Sequence, residues 1–148
     1  MNALTLMTPD PTVVAKDETI SRAARLMKTL DVGMRPVVDD AEHRRLVGVL
    51  TDRDIVVRCL AEGHRIDCRV QDHMTADPLV TLHIDTELRE IADRMERYQV
   101  RRLPVVNKEM RVLGIVTQAD LARQAGPDHP ELIEEVLQRI STPGQLTV

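Results

Sequence analysis

The sequence has no Phe and no Trp, and Tyr98 is its single aromatic residue. Surfaces that bind single-stranded nucleic acid stack bases on aromatic side chains, and this chain has no set of aromatics to build one. It also lacks any long run of Lys or Arg and carries a formal net charge of −4. A nucleic-acid platform needs a concentrated basic face to displace counterions, so DNA and RNA are excluded as expected partners. No apolar run is long enough to span a bilayer, and the start, MNALTLMTPDP, has no basic segment leading into an apolar core. The expectation is a cytoplasmic protein with no membrane partner. Cys59 and Cys68 are the two cysteines, and the five histidines, His43, His64, His73, His83 and His129, are scattered without a paired or CxxC-like spacing. They read as ordinary side chains of a reducing compartment, and no metal site is expected. Neither a P-loop nor a dinucleotide glycine fingerprint is present, and no Ser/His/Asp, Cys/His or paired-carboxylate set stands out, so no catalytic centre is expected.

What the chain does have is balance and repetition. Its 148 residues are 43% hydrophobic and 30% charged, with both signs interspersed, which suits a folded chain of one domain or of two small repeats sharing a core. MTPDPTVV at Met7 to Val14 returns as MTADPLVT at Met74 to Thr81, an offset of 67 residues. VGMRPVV from Val32 returns as VRRLPVV from Val100, and LVGVLTDRDI from Leu46 returns as VLGIVTQADL from Val112, with offsets of 68 and 66. The drift places an insertion near His83 and a shorter hairpin after Val106, both in loops.

Between the first two blocks each copy carries a helical stripe. Ile20, Ala23, Ala24, Met27 and Leu30 fall on one face, and Leu88, Ile91, Ala92, Met95 and Tyr98 repeat it. Asp17 and Thr19 in the first copy, and Asp85 and Thr86 in the second, offer N-cap oxygens. PVVD and PVVN follow as short β-branched runs, each opened by a proline that suits the first residue of a strand. Polar hairpins (DAEHRR, KEMR), second apolar runs (LVGVLT, VLGIVT) and further helices (DRDIVVRCLAE, QADLARQA) complete each copy. Each unit therefore reads β-α-β-β-α and is too small to bury both of its faces alone. The predicted organisation is an α+β fold with repeat 1 at 7–61, a connector at 62–73, repeat 2 at 74–125, and a docking helix at 131–140 followed by a frayed STPGQLTV end. The helices carry more apolar surface than one pair of small sheets covers, which predicts a homodimer.

With MTPDP and MTADP, RPVV and LPVV, and GVLTDRD and GIVTQAD each in order, the chain resembles the cystathionine-β-synthase (CBS) domain family from Met7 to about Ala125. The resemblance implies two repeats packed sheet to sheet as a CBS pair, often within a homodimer, with ligand sites in the clefts between the sheets. Ligands in the family include AMP, ADP, ATP, S-adenosylmethionine, NAD and cyclic dinucleotides, and such pairs regulate an attached or separate protein. No further domain is expected, so the chain is similar to single-module bacterial stress proteins, and an adenine nucleotide is the expected regulatory ligand. A ligand-free module for dimerisation and partner docking is the alternative.

The candidate site follows from the shared pattern Gly-apolar-apolar-Thr-x-x-Asp at Gly48 to Asp54 and Gly114 to Asp120. In similar proteins the aspartate accepts hydrogen bonds from both ribose hydroxyls, and a carboxylate suits two vicinal O–H donors. Thr51/Asp54 and Thr117/Asp120 also have the spacing of a capping box, but capping leaves the repeated glycine unexplained, which favours a ligand role. Arg101 and Arg102 stand where similar repeats place basic residues facing phosphate, and guanidinium forks suit phosphate oxygens. The first copy has Gly33 and Met34 there, with Arg35 one step later, so unequal sites are expected. Arg53, replaced by Ala119 in the second copy, is a further candidate cation. The expected adenine walls are Thr12 and Val13 with Met34 and Pro36, and Val80 and Thr81 with Leu103 and Pro104.

Overall fold

The computed structural model describes residues 1–141, so the predicted frayed end lies, from Thr142 on, outside the described residues. The chain forms two compact units. The first-repeat unit comprises Thr12–Leu79 with Glu109–Val112, and the second-repeat unit comprises Met1–Pro11, Val80–Lys108 and the described residues from Leu113 on. The opening segment of the chain thus packs with the second repeat, and the connector packs with the first.

In the first-repeat unit, β2 (Val14–Ala15), α2 (Ile20–Leu30), β3 (Met34–Val38) and β4 (Leu46–Thr51) follow in order, and the sheet runs β2-β3-β4. β2 pairs parallel to β3 and β3 pairs antiparallel to β4, with Val37 opposite Gly48 and Met34 opposite Thr51. The predicted β-α-β-β order is therefore present, with one correction. Pro36 is the third residue of β3 rather than its first. The β2 pairing begins only at Val37, so no β2 partner asks Pro36 for an N–H.

In the second-repeat unit α1 (Ala3–Leu6) and β1 (Thr8–Pro9) precede β5 (Leu82–His83), α4 (Leu88–Tyr98), β6 (Arg102–Val106) and β7 (Val112–Thr117). The sheet order is β1-β7-β6-β5, with β5 parallel to β6 and Pro104 again third in its strand. β1 pairs antiparallel to β7, Thr8 opposite Ile115. In the other unit Thr75 makes the matching bridge, exchanging backbone hydrogen bonds of 2.9 and 2.8 Å with Val49. Each Met-Thr motif therefore joins the last strand of the other repeat.

The helical stripes are buried at Ile20, Ala23 and Met27, and at Leu88, Ile91, Ala92 and Met95. Leu30 and Tyr98 end their stripes exposed, each in the last position before a residue in the left-handed region, Asp31 (φ 54°) and Gln99 (φ 53°). Thr19 caps α2 by accepting from Arg22 N, as expected. α4 differs: its N-cap is Glu87, and Thr86 instead accepts from His83 N in the preceding turn. Each unit has its own apolar core, one around Val14, Ile20, Val37 and Leu50, the other around Leu82, Ile91, Met95 and Val116. A fully buried side chain of this size contributes about 1.5–3 kcal/mol.

The helices after β4 and β7 begin as short α turns, α3 (Asp52–Asp54) and α5 (Gln118–Asp120), and continue with wider i→i−5 turns over Ile55–Leu60 and Leu121–Ala125. Ala61 N bonds Val56 O at 2.8 Å and Gly126 N bonds Leu121 O at 3.1 Å. α6 (Pro130–Ser141) buries Ile133, Val136 and Ile140 in the second-repeat core, so the predicted docking helix packs on its own unit.

Candidate functional site

The predicted residues divide cleanly between the units. Thr12, Val13, Met34, Arg35, Pro36, Thr51, Arg53 and Asp54 lie in the first-repeat unit, and the other eight lie in the second. Each set is organised by the corner where the last strand turns into its helix. Thr51 Oγ1 accepts from Asp54 N at 3.0 Å while Asp54 Oδ2 accepts from Thr51 N at 3.0 Å. At the second corner Thr117 Oγ1 accepts from Asp120 N at 3.1 Å and Asp120 Oδ2 accepts from Thr117 N at 2.8 Å. Both corners are capping boxes, and both carboxylates are buried, Asp54 at 7% and Asp120 at 2% exposure.

The repeated glycine has a packing explanation. A Cβ at Gly48 would stand 2.7 Å from the Met74 sulfur and 3.0 Å from the Thr75 carbonyl oxygen. One at Gly114 would collide with the Met7 sulfur and lie 2.9 Å from the Thr8 carbonyl oxygen. Both glycines make room for the Met-Thr segment that pairs beside them. The repeated glycine is thus a packing requirement and, contrary to the expectation from its repetition, lends no weight to a ligand role.

The remaining carboxylate oxygens distinguish the two corners. Asp54 Oδ1 lies 3.6 Å from Arg58 Nε, and the Thr75 hydroxyl is 3.4 Å from both Asp54 oxygens. Asp120 Oδ1 accepts from Arg123 at 2.7 Å, and the Arg123 side chain is 73% exposed. Arg58 and Arg123 were not singled out from the sequence, although their i+4 and i+3 spacing from the aspartates on one helix was the available signal.

The backbone places the second arginine pair beside its corner: Gln118 N, the first residue past Thr117, bonds Arg101 O at 2.8 Å. The first unit repeats this link with Asp52 N to Gly33 O at 2.9 Å. Arg101 and Arg102 are exposed, and among the described residues no hydrogen bond or ion pair of their side chains is found. Arg35 differs. It is 9% exposed, and its guanidinium donates to the carbonyls of Met34 and Thr12, so it pins the chain entering β2 rather than facing solvent. Arg94 holds the Thr81 carbonyl in the same way in the second unit. Arg53 is exposed on α3.

Among the expected adenine walls, Met34, Pro36, Leu103 and Pro104 are buried, whereas Val13, Val80 and Thr81 are half-buried and Thr12 is exposed. Thr12 and Val13 open onto a groove shared with Glu18, Arg22, Arg25, Leu26 and Thr29, which includes neither Thr51 nor Asp54.

The connector brings together residues whose sequence spacing gave no metal pattern. His64, Cys68 and His73 converge, and Cys59 is buried beside Cys68. Burial pushes the Cys59 thiol above its ordinary value, and Cys68 adds to the shift.

Two β-α-β-β-α repeats, each ending in a capped corner with a buried carboxylate, define a tandem α+β repeat protein. The chain belongs to the CBS domain family, whose model matches residues 3–60 and 70–126. It is 38% identical over 124 residues, 84% of either chain, to hypoxic response protein 1 of Mycobacterium tuberculosis. The crystal structure of that protein with two coordinated zinc ions superposes with a TM-score of 0.76 at 36% identity, covering 84% of this chain and 98% of the other. The complex of CBSX2 with AMP gives a TM-score of 0.73 at 28% identity, over 86% of this chain and 97% of CBSX2. The CBS domain pair of MJ0100 with 5-methylthioadenosine and S-adenosylmethionine gives 0.72 at 29% identity, over 86% and 98%. No helix of the described residues is long and apolar enough to cross a membrane.

Proposed function

We propose that this chain is a non-catalytic, cytoplasmic regulatory module that binds an adenine nucleotide of the AMP, ADP or ATP type and signals to a partner protein as a homodimer. The observation that carries the reading is the second corner, where the turn holding the buried Asp120 carboxylate is tied by the Gln118 N to Arg101 O bond to a strand start with two exposed arginines, whose side chains have no partners among the described residues. The solved complexes of similar proteins with AMP and with S-adenosylmethionine support an adenosyl ligand.

The chemistry is consistent with the capping role. Asp120 uses Oδ2 for the cap and Oδ1 for Arg123. Arg123 makes one hydrogen bond to Oδ1 from a side chain that is 73% exposed, whereas a ribose offers two hydroxyls, each contributing roughly 1.5–3 kcal/mol as a hydrogen bond to a carboxylate. A ribose diol therefore displaces Arg123 while the cap stays intact. Arg101 and Arg102 supply the phosphate contacts. Because Arg35 is occupied with carbonyls, the first unit offers Arg53 and Arg58 instead, and its site gains less from added phosphates. For the homodimer, Val56, Val57 and Leu60 present 43–56% of their surface on the helix after β4, an apolar strip suited to a second copy.

Calorimetric titration of nucleotide-stripped protein with AMP, ADP, ATP, S-adenosylmethionine, NAD and GTP tests this reading. The expected result is saturable binding of adenine nucleotides and none of GTP. Absence of heat with every adenosyl ligand would overturn it. A second reading, a ligand-free interaction module, is favoured by the corners' own geometry, since capping and methionine packing account for Thr, Asp and Gly together.

A further inference from the structure

We infer that the connector forms a three-ligand site for Zn²⁺, or a comparably borderline-soft divalent cation, from His64, Cys68 and His73. One donor atom from each residue lies within 4.8 Å of the other two, the only such His/Cys/Asp/Glu group among the described residues. His64 Nδ1 and His73 Nε2 face each other at 3.4 Å, with ring centroids 5.1 Å apart and ring planes at 41°. Zn–N bonds of about 2.0–2.1 Å at a tetrahedral angle set two ligand nitrogens about 3.3–3.4 Å apart. The imidazoles thus already stand at the separation that one shared ion imposes. A Zn–S bond of about 2.3 Å places the sulfur about 3.6 Å from each nitrogen, so Cys68, within 4.8 Å of both, has to close in by about 1.2 Å at most.

A simple imidazole-to-imidazole hydrogen bond accounts for the nitrogen pair but not for the thiol beside it. The spacing H-x₃-C-x₄-H is not a familiar finger pattern, so the convergence is a product of the fold. Ile20 N bonds Cys68 O at 2.9 Å, which fixes Cys68 against the first turn of α2. Val70 N and Gln71 N bond the carbonyls of Glu18 and Lys16, fixing the short turn that presents the buried His73. Gly63, at φ 75°, turns the chain so that exposed His64 returns over the pair. Two ligands are thus held on anchored backbone and the third closes from solvent, while the surface depression over His64, Cys68, Asp67 and Asp72 gives the ion a route in. Three protein ligands leave a fourth position for water. Binding converts the Cys68 thiol to a thiolate with release of its proton to solvent. Cys59 is excluded as a ligand because its thiol points to the carbonyls of His64 and Arg65.

The test is titration of the full, untagged chain, with thiols kept reduced, by Co²⁺ and then by Zn²⁺. The expected result is one equivalent of Co²⁺ giving intense visible bands of a tetrahedral site and a thiolate-to-cobalt band in the near ultraviolet, all erased by one equivalent of Zn²⁺. Cys68→Ser should lose the near-ultraviolet band. His64→Ala, at an exposed position that the fold does not need, should lose tight binding and the rise in melting temperature that Zn²⁺ gives the parent chain. Absence of Co²⁺ uptake in competition with a weak chelator would overturn the inference. So would a spectrum and a Zn²⁺-induced melting shift unchanged in both variants while they melt like the parent without metal.

Discussion

Replacing Asp120 by Ala and by Asn separates its two roles, because one oxygen caps a helix and the other is the proposed ribose acceptor. Alanine removes the acceptor of Thr117 N and the partner of the Thr117 hydroxyl in a position that is 2% exposed. Thr117 still caps the helix by accepting from the N–H of residue 120, so the cost is that of a buried N–H left without a partner, about 1–3 kcal/mol. For a chain of this size each kcal/mol lowers the melting temperature by about 2–4 °C, so Asp120→Ala should melt roughly 2–12 °C below the parent. Asparagine keeps one acceptor oxygen for Thr117 N and should retain most of that stability. With that oxygen on Thr117 N it presents its NH2 group, a donor that cannot accept from a hydroxyl, where the second carboxylate oxygen stood. The two ribose hydroxyls then lose their charged acceptor, a cost of about 1.5–3 kcal/mol or roughly 10- to 150-fold in affinity. Scanning calorimetry and nucleotide titration on the same samples read both effects. If Asp120→Asn binds adenine nucleotide as well as the parent and melts as low as Asp120→Ala, the aspartate is only a cap and the reasoning fails.

Gly114→Ala should be destabilised by about 1–3 kcal/mol through overpacking against Met7 and the Thr8 carbonyl, and Met7→Ala should restore part of it, as read from paired denaturation curves. The Arg101→Ala/Arg102→Ala double variant should lose ATP affinity and most of its salt dependence while adenosine binding is unchanged; equal losses for both ligands would show that the arginines do not read phosphate. Leu60→Asp with Val56→Asp should convert a dimer to a monomer in light scattering without lowering helix content, and a parent chain that is already monomeric at tens of micromolar would refute the homodimer.

The repeat carried most of the fold. Because the apolar periods of Ile20 to Met27 and Leu88 to Met95 are set by one buried face, the helices and the β-α-β-β order were readable from local pattern. The exchange of Met7-Thr8 and Met74-Thr75 between repeats was not, since two copies of one motif satisfy either strand equally well on paper. That exchange also decides the meaning of Gly48 and Gly114, which read as ligand glycines until the sulfurs of Met74 and Met7 are seen against them. In the candidate site, the grouping of Arg101 and Arg102 with Thr117 and Asp120 was legible, because a strand start and a strand end lie side by side in a hairpin. Arg35 was not, because nothing in RPVV tells whether a guanidinium reaches solvent or the carbonyl of Thr12. The convergence of His64, Cys68 and His73 depends on turns at Gly63 and Val70–Asp72 that carry no apolar period.

Adenine-nucleotide binding is tested most directly by equilibrium dialysis of labelled ATP against the stripped parent chain and an Asp54→Asn/Asp120→Asn double variant that melts like it. Saturable binding by the parent that is lost in the double variant is the predicted result. No saturable binding by the parent, or equal binding by both, would contradict it.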